Sequence, residues 1–132
     1  MTSDDFPARA PLRIYCVEDN PLIVFHIEHL VEQAGHVLVG FAESFSQLKA
    51  DPVVKDIDGA LVDIDLADGR TGPDAAAWLK RQGIRSIFVT GQQEIAKRYA
   101  DQAIAVITKP IAAGDFAEKL GLLGSKHDRR FS

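Results

Sequence analysis

Cysteine is almost missing from this sequence: Cys16 is the single one in 132 residues. One thiol excludes an intramolecular disulfide and any metal site built from several cysteines, and it suits a reducing compartment. No run approaches the ~20 apolar residues that a membrane-spanning helix needs. The opening MTSDDFPARAPL carries two early acids and no apolar stretch, so it does not read as a secretory signal. A charge excess is missing too. Fifteen basic against nineteen acidic side chains leave a net charge of -4, which is no electrostatic footprint for nucleic acid or an anionic membrane surface. With 46% hydrophobic and 26% charged residues, neither wholesale disorder nor a fibrous class fits. The expectation is one soluble, cytoplasmic globular domain, long enough to bury about two thirds of its unfolded surface.

Two kinds of apolar segment alternate along the chain. Leu12–Val17, His36–Ala42, Gly59–Val62, Arg85–Val89 and Ala103–Ile107 are short and rich in β-branched or aromatic residues, and read as strands buried on both faces. Between them, Ile23, Ile27, Leu30, Val31 and Ala34 share one face of a helix. Asn20 is a suitable N-cap, Pro21 fits the first helical position, and Gly35 can end the helix in a left-handed turn. Pro73–Gln82 repeats the device, with Gly83 beyond its end. Ala113, Phe116, Ala117, Leu120 and Leu123 give a last helix a stripe closed by Gly124, and Ser44–Ala50 and Gln93–Ala100 read as shorter helices. Strands joined by single helices imply right-handed crossovers and a parallel sheet covered on both sides. Residues 11–124 form the expected domain, residues 1–10 and 125–132 read as polar tails, and no second domain is expected.

In such a sheet, functional groups gather outside the carboxyl edge of the strands. The first strand ends in Glu18-Asp19, the third in Asp63, the fourth in Thr90 and the fifth in Thr108-Lys109-Pro110. Singly, these residues have bland readings: an acidic pair or a threonine caps a helix, and a lysine before proline sits in a turn. Placed jointly at four strand ends, they form a constellation. Three neighbouring carboxylates need a proton or a cation, and oxygen donors without His or Cys suit Mg²⁺. A cation, Lys109 and the Thr90 hydroxyl would stabilise the oxygens of a transferring phosphoryl group. Asp63 would be the nucleophile and become an aspartyl-phosphate.

The pieces Val17-Glu18-Asp19-Asn20-Pro21, Gly59-Ala60-Leu61-Val62-Asp63, Phe88-Val89-Thr90 and Ile107-Thr108-Lys109-Pro110 resemble the receiver domain of two-component response regulators. The resemblance covers about Leu12 to Leu123. It implies a flavodoxin-like (βα)5 fold, with a doubly wound sheet in strand order 2-1-3-4-5. It also implies that Asp63 accepts phosphate from a histidine kinase or phosphotransfer protein. Asp19 and Asp63 would bind Mg²⁺ directly, Glu18 mainly through water, and the Asp65 backbone carbonyl would complete the protein ligands. Thr90 and Lys109 would contact the phosphoryl oxygens, and signalling would pass to a downstream protein or along a relay. The sequence departs from the family at Ala67, where proline is usual, in a longer loop from Asp63 to Gly72, and at Val106, where an aromatic is usual. Asp65 adds an acid at a position that in the family influences phosphate lifetime.

Three other readings stay open. Asp63-Ile64-Asp65 matches the nucleophile-x-acid pattern of haloacid dehalogenase-type Mg²⁺ phosphatases, in which the second acid protonates the leaving group. In those enzymes, however, this pattern lies on the first strand. A flavodoxin-like nucleotide binder would meet repulsion from Glu18-Asp19. A receiver that signals without phosphate is the third. His26 and His29 read as residues of a polar helix face, His36 lacks a metal-ligand neighbour, and Phe25 and Trp78 read as helix-packing residues.

Overall fold

Strands that are apolar on both faces need cover from both sides, and the chain supplies it. The computed structural model describes residues 10–124. Five strands alternate with five helices: β1 (Arg13–Val17), α1 (Pro21–Gln33), β2 (Val37–Ala42), α2 (Phe45–Ala50), β3 (Gly59–Val62), α3 (Gly72–Arg81), β4 (Ser86–Thr90), α4 (Gln93–Arg98), β5 (Ala105–Thr108) and α5 (Ala113–Leu120). Every pairing is parallel and the order is β2-β1-β3-β4-β5. This is the flavodoxin-like doubly wound sheet. Ile14, Cys16, Leu61, Ile87, Val89 and Ile107 point to one face, where Ile27, Val31, Phe116 and Leu120 of α1 and α5 cover them. Tyr15, Val17, Ala60, Val62 and Phe88 point to the other, against Leu48, Ala75, Leu79 and Ala96 of α2, α3 and α4. Each large apolar side chain so buried contributes about 1.5–3 kcal/mol.

Local chemistry sets the ends of the elements. The Asn20 side chain accepts the Leu22 N–H at 3.0 Å, and Pro21 opens α1 with its ring already at a helical φ. Gly35 and Gly83, after α1 and α3, take φ of 88° and 80°, the left-handed conformation expected at those C-termini. β3 has the expected bounds, and the other strands differ from the sequence reading by one or two residues, with one consequence: Thr90 and Thr108 are the last residues of β4 and β5.

The structure departs from expectation in five places. A 3-10 turn, Pro52–Asp56, follows α2, started by Pro52 and capped by the Asp51 side chain. α4 stops at Arg98. α5 ends at Leu120 and tightens into a 3-10 turn, Gly121–Gly124, and so is not closed by Gly124. Its stripe is narrower than expected, because Ala113 and Ala117 are exposed while Phe116, Leu120 and Leu123 are buried. Phe25 is 71% exposed and does not pack; it lies opposite the Val24–Ile27–Val31 face of α1. Trp78 does pack, edge-on to Phe45 with ring centroids 6.4 Å apart. His26 and His29 are exposed, and His36 Nδ1 accepts the Leu12 N–H. Of the expected tails, residues 1–10 and 125–132, all but residue 10 lie outside the described residues. No helix among the described residues is long and apolar enough to cross a membrane.

Candidate functional site

The parallel ladder runs one residue past the strand ends, and this fixes the acids and the lysine. The Glu18 N–H donates to the Ala42 carbonyl (2.9 Å), that of Asp63 to Val17 (2.9 Å), and that of Lys109 to Thr90 (3.0 Å). Glu18, Asp63 and Lys109 therefore stand side by side at the carboxyl edge, where adjacent β1, β3 and the β4–β5 pair finish. Asp19, next along, is exposed at the rim. Gly72 closes the floor: its N–H donates to the Ile64 carbonyl (2.9 Å), and a Cβ there would fall 1.9 Å from the Asp63 carbonyl oxygen. Only glycine permits this approach.

Glu18 and Asp63 are buried, at 2% and 9% exposure. Carboxylate oxygens of Glu18, Asp19 and Asp63 lie within 4.8 Å of one another. Lys109 Nζ donates to Glu18 Oε1 at 2.9 Å and to Asp63 Oδ2 at 3.0 Å. The remaining oxygens accept backbone N–H groups, Asn20 on Glu18 (3.0 Å) and Ile64 on Asp63 (2.7 Å). Burial pushes the Glu18 carboxyl above its ordinary range, and the Asp63 charge adds to this while Lys109 opposes it. Burial works against the Lys109 ammonium, but its hydrogen bonds to Glu18 and Asp63 outweigh that and hold its pKa above the usual lysine value. One cation thus serves two buried carboxylates, with a third at the rim. A cluster of hard oxygen donors with a negative surplus can hold a divalent metal ion.

Thr90 is buried, and its hydroxyl accepts the Gln92 N–H at 3.0 Å. The Asp65 side chain is claimed by two groups that the sequence reading missed. Arg70 Nε donates to Asp65 Oδ1 at 2.9 Å, and the Gln92 side-chain amide donates to Asp65 Oδ2. Gln92 stands 27 positions from Asp65, so no local spacing could have signalled the pair. The loop from Asp63 to Gly72 is firmly tied down. Leu66 is buried, the Ala67 N–H donates to the Glu43 carbonyl, and the Asp68 carboxylate accepts the Phe45 and Ser46 N–H groups that open α2. Val106 lies partly buried against the α3–α4 side of the core.

The sequence model of the response regulator receiver domain matches residues 14–121. The chain belongs to that family. The receiver domain is 39% identical over 83 residues to the phyllosphere-induced regulator PhyR of Methylorubrum extorquens, a match covering 61% of this chain and 31% of that protein. It thus spans under a third of that relative's length. The solution structure of the PhyR receiver domain from Erythrobacter litoralis superposes with a TM-score of 0.79 at 28% identity, covering 89% of this chain and 92% of that one. An anti-anti-sigma factor PhyR from Bartonella quintana superposes with a TM-score of 0.75 at 29% identity, over 89% of this chain and 50% of that one.

Proposed function

We propose that residues 11–124 act as a phosphoacceptor receiver, with Asp63 taking a phosphoryl group from a phosphohistidine on a histidine kinase or phosphotransfer protein. In that step the phosphoimidazole P–N bond breaks and a P–O bond to the Asp63 carboxylate forms. The observation that carries the reading is the placement of Asp63, buried at a strand end with Oδ2 on Lys109 and two further carboxylates beside it. Burial orients the carboxylate, and Lys109 offsets charge on the oxygens that gather there. The Thr90 hydroxyl, at the end of the neighbouring strand, is a donor for a phosphoryl oxygen.

The acidic cluster suits Mg²⁺, which Asp19, Asp63 and the Asp65 backbone carbonyl would hold, with Glu18 as a further acid beside it. When bound, that ion supplies positive charge to the transferring phosphoryl group. A phosphatase of haloacid dehalogenase type is less well supported. Both Asp65 carboxylate oxygens already accept hydrogen bonds, from Arg70 and Gln92, so that acid is not free to protonate a leaving group. Output passes to a protein partner in the cytoplasm, a role in keeping with the anti-anti-sigma factor from Bartonella quintana.

Acetyl phosphate with Mg²⁺ tests the reading. Intact-mass analysis should find one phosphoryl group, lost in mild base as an acyl phosphate is. Asp63→Asn should accept none. Equal labelling of that variant would place the acceptor elsewhere.

A further inference from the structure

Gln92 makes three attachments at once. Its backbone N–H donates to the Thr90 hydroxyl (3.0 Å), and its carbonyl accepts the Ile95 and Ala96 N–H groups that begin α4 (3.2 and 3.0 Å). Its side-chain amide reaches across to Asp65 Oδ2, in the loop on the other side of Asp63. Asp65 in turn is braced by Arg70 through its second oxygen. The loops after β3 and β4 are therefore joined by the side chains of Arg70, Asp65 and Gln92, and the Gln92 backbone N–H carries the connection on to the Thr90 hydroxyl. Beyond that point α4 is weakly held. It has six residues, no side-chain N-cap bond, and Ala96 as its one fully buried residue.

We infer that the Asp65–Gln92 hydrogen bond is a latch that holds the β4–α4 loop and α4 in the unphosphorylated arrangement. Gln92 is a positioning residue: it acts on the reacting centre through Thr90 and is hydrogen-bonded to neither the acceptor carboxylate nor Lys109. The inference rests on the phosphoacceptor reading for its trigger. A phosphoryl group on Asp63 draws the Thr90 hydroxyl toward its oxygens. Gln92, bonded to that hydroxyl through its own backbone, is displaced with it, and its side chain then gives up Asp65. The new negative charge two residues from Asp65 leaves that carboxylate better solvated outward than held inward. Charge-assisted hydrogen bonds of this kind are strong enough to set a two-state preference of about tenfold.

The test uses the full chain and the variants Gln92→Ala and Gln92→Glu, the second keeping side-chain size while replacing the donor by a like charge. Without phosphodonor, in EDTA, amide hydrogen exchange at Gln92–Ala96 should accelerate about tenfold in both, while exchange in β1 and β3 stays as in the wild type. With Mg²⁺, both should bind beryllofluoride, the phosphoryl mimic, several-fold more tightly than the wild type, because the resting arrangement no longer competes. A residue that merely propped the site would weaken that binding when removed. Unchanged exchange, or beryllofluoride affinity equal to or below that of the wild type, overturns the latch. Failure of the wild type itself to bind beryllofluoride overturns the phosphoacceptor reading instead, and leaves the exchange result to decide whether Gln92 restrains the loop.

Discussion

Replacing Lys109 by methionine would expose how much of the stability rests on one ammonium. In the wild type its Nζ lies 2.9 Å from Glu18 and 3.0 Å from Asp63. Methionine keeps most of the aliphatic stem and removes only the charge. Two buried carboxylates with oxygens no more than 4.8 Å apart then repel each other by about 3.5 kcal/mol at that outer limit, for an effective dielectric constant near 20. Removing one partner of a buried ion pair costs about 3–5 kcal/mol in general. Since 23% of the Lys109 side chain reaches solvent, water screens part of this, and about 2–3 kcal/mol is the expected loss. Urea denaturation at pH 7 in EDTA should show it as a midpoint lowered by about 1 M or more. Adding Glu18→Gln to Lys109→Met should recover a large part, since one of the two opposed charges is gone. Millimolar Mg²⁺ should recover part as well. An unchanged midpoint for Lys109→Met, or no recovery from Glu18→Gln, would refute the claim that the lysine balances these two acids.

Gly72→Ala places a Cβ 1.9 Å from the Asp63 carbonyl oxygen and 2.6 Å from Ile64 Cα; backbone must move, so a loss of at least about 2 kcal/mol is expected, together with slower labelling by acetyl phosphate. Wild-type stability and labelling in that variant would show the approach to be slack. The Thr71 hydroxyl above all, with the Phe45 and Ser46 N–H groups, holds the Asp68 carboxyl below its ordinary range, and Asp68→Ala removes the acceptor of those two amides. A loss of about 1 kcal/mol is expected, with faster exchange at those two amides, and their unchanged exchange would disprove the cap. For His36, burial lowers the pKa, against an opposing influence from Asp58. The unfolded chain then takes up its proton first, so this contribution is complete above about pH 6.5 and is lost as pH falls through the folded value. His36→Asn, which keeps an acceptor for Leu12, should flatten thermal stability across that window, and an equally steep profile would remove His36 as the cause.

The candidate site was legible where position along a strand decides placement. Glu18, Asp63 and Lys109 follow apolar segments that had to be parallel strands, and parallel strands deliver their carboxyl ends to one edge. Asn20-Pro21 and Gly35 were legible because capping depends on a few adjacent residues. The Arg70–Asp65–Gln92 chain was not, because its members meet only through the fold. Phe25 is apolar, but its angle on α1 points away from the face set by Ile23, Ile27 and Val31, and hydrophobicity alone does not show this. Ala113 and Ala117 fit a helical period, but a methyl group is too small to draw a helix face inward. Pro52–Asp56 is too short for any period to register.

Lys109 and Glu18 are 91 positions apart, so one hydrogen bond closes most of the chain into a loop. During synthesis, a chain that has emerged only as far as Thr90 carries Glu18, Asp19 and Asp63 but lacks the lysine that reconciles them. Where β1 and β3 finish side by side, those acids stand within 4.8 Å of one another, and the residue after β5 brings the ammonium between two of them. A product that stops before Lys109 therefore holds the acidic cluster without the ammonium that bridges Glu18 and Asp63.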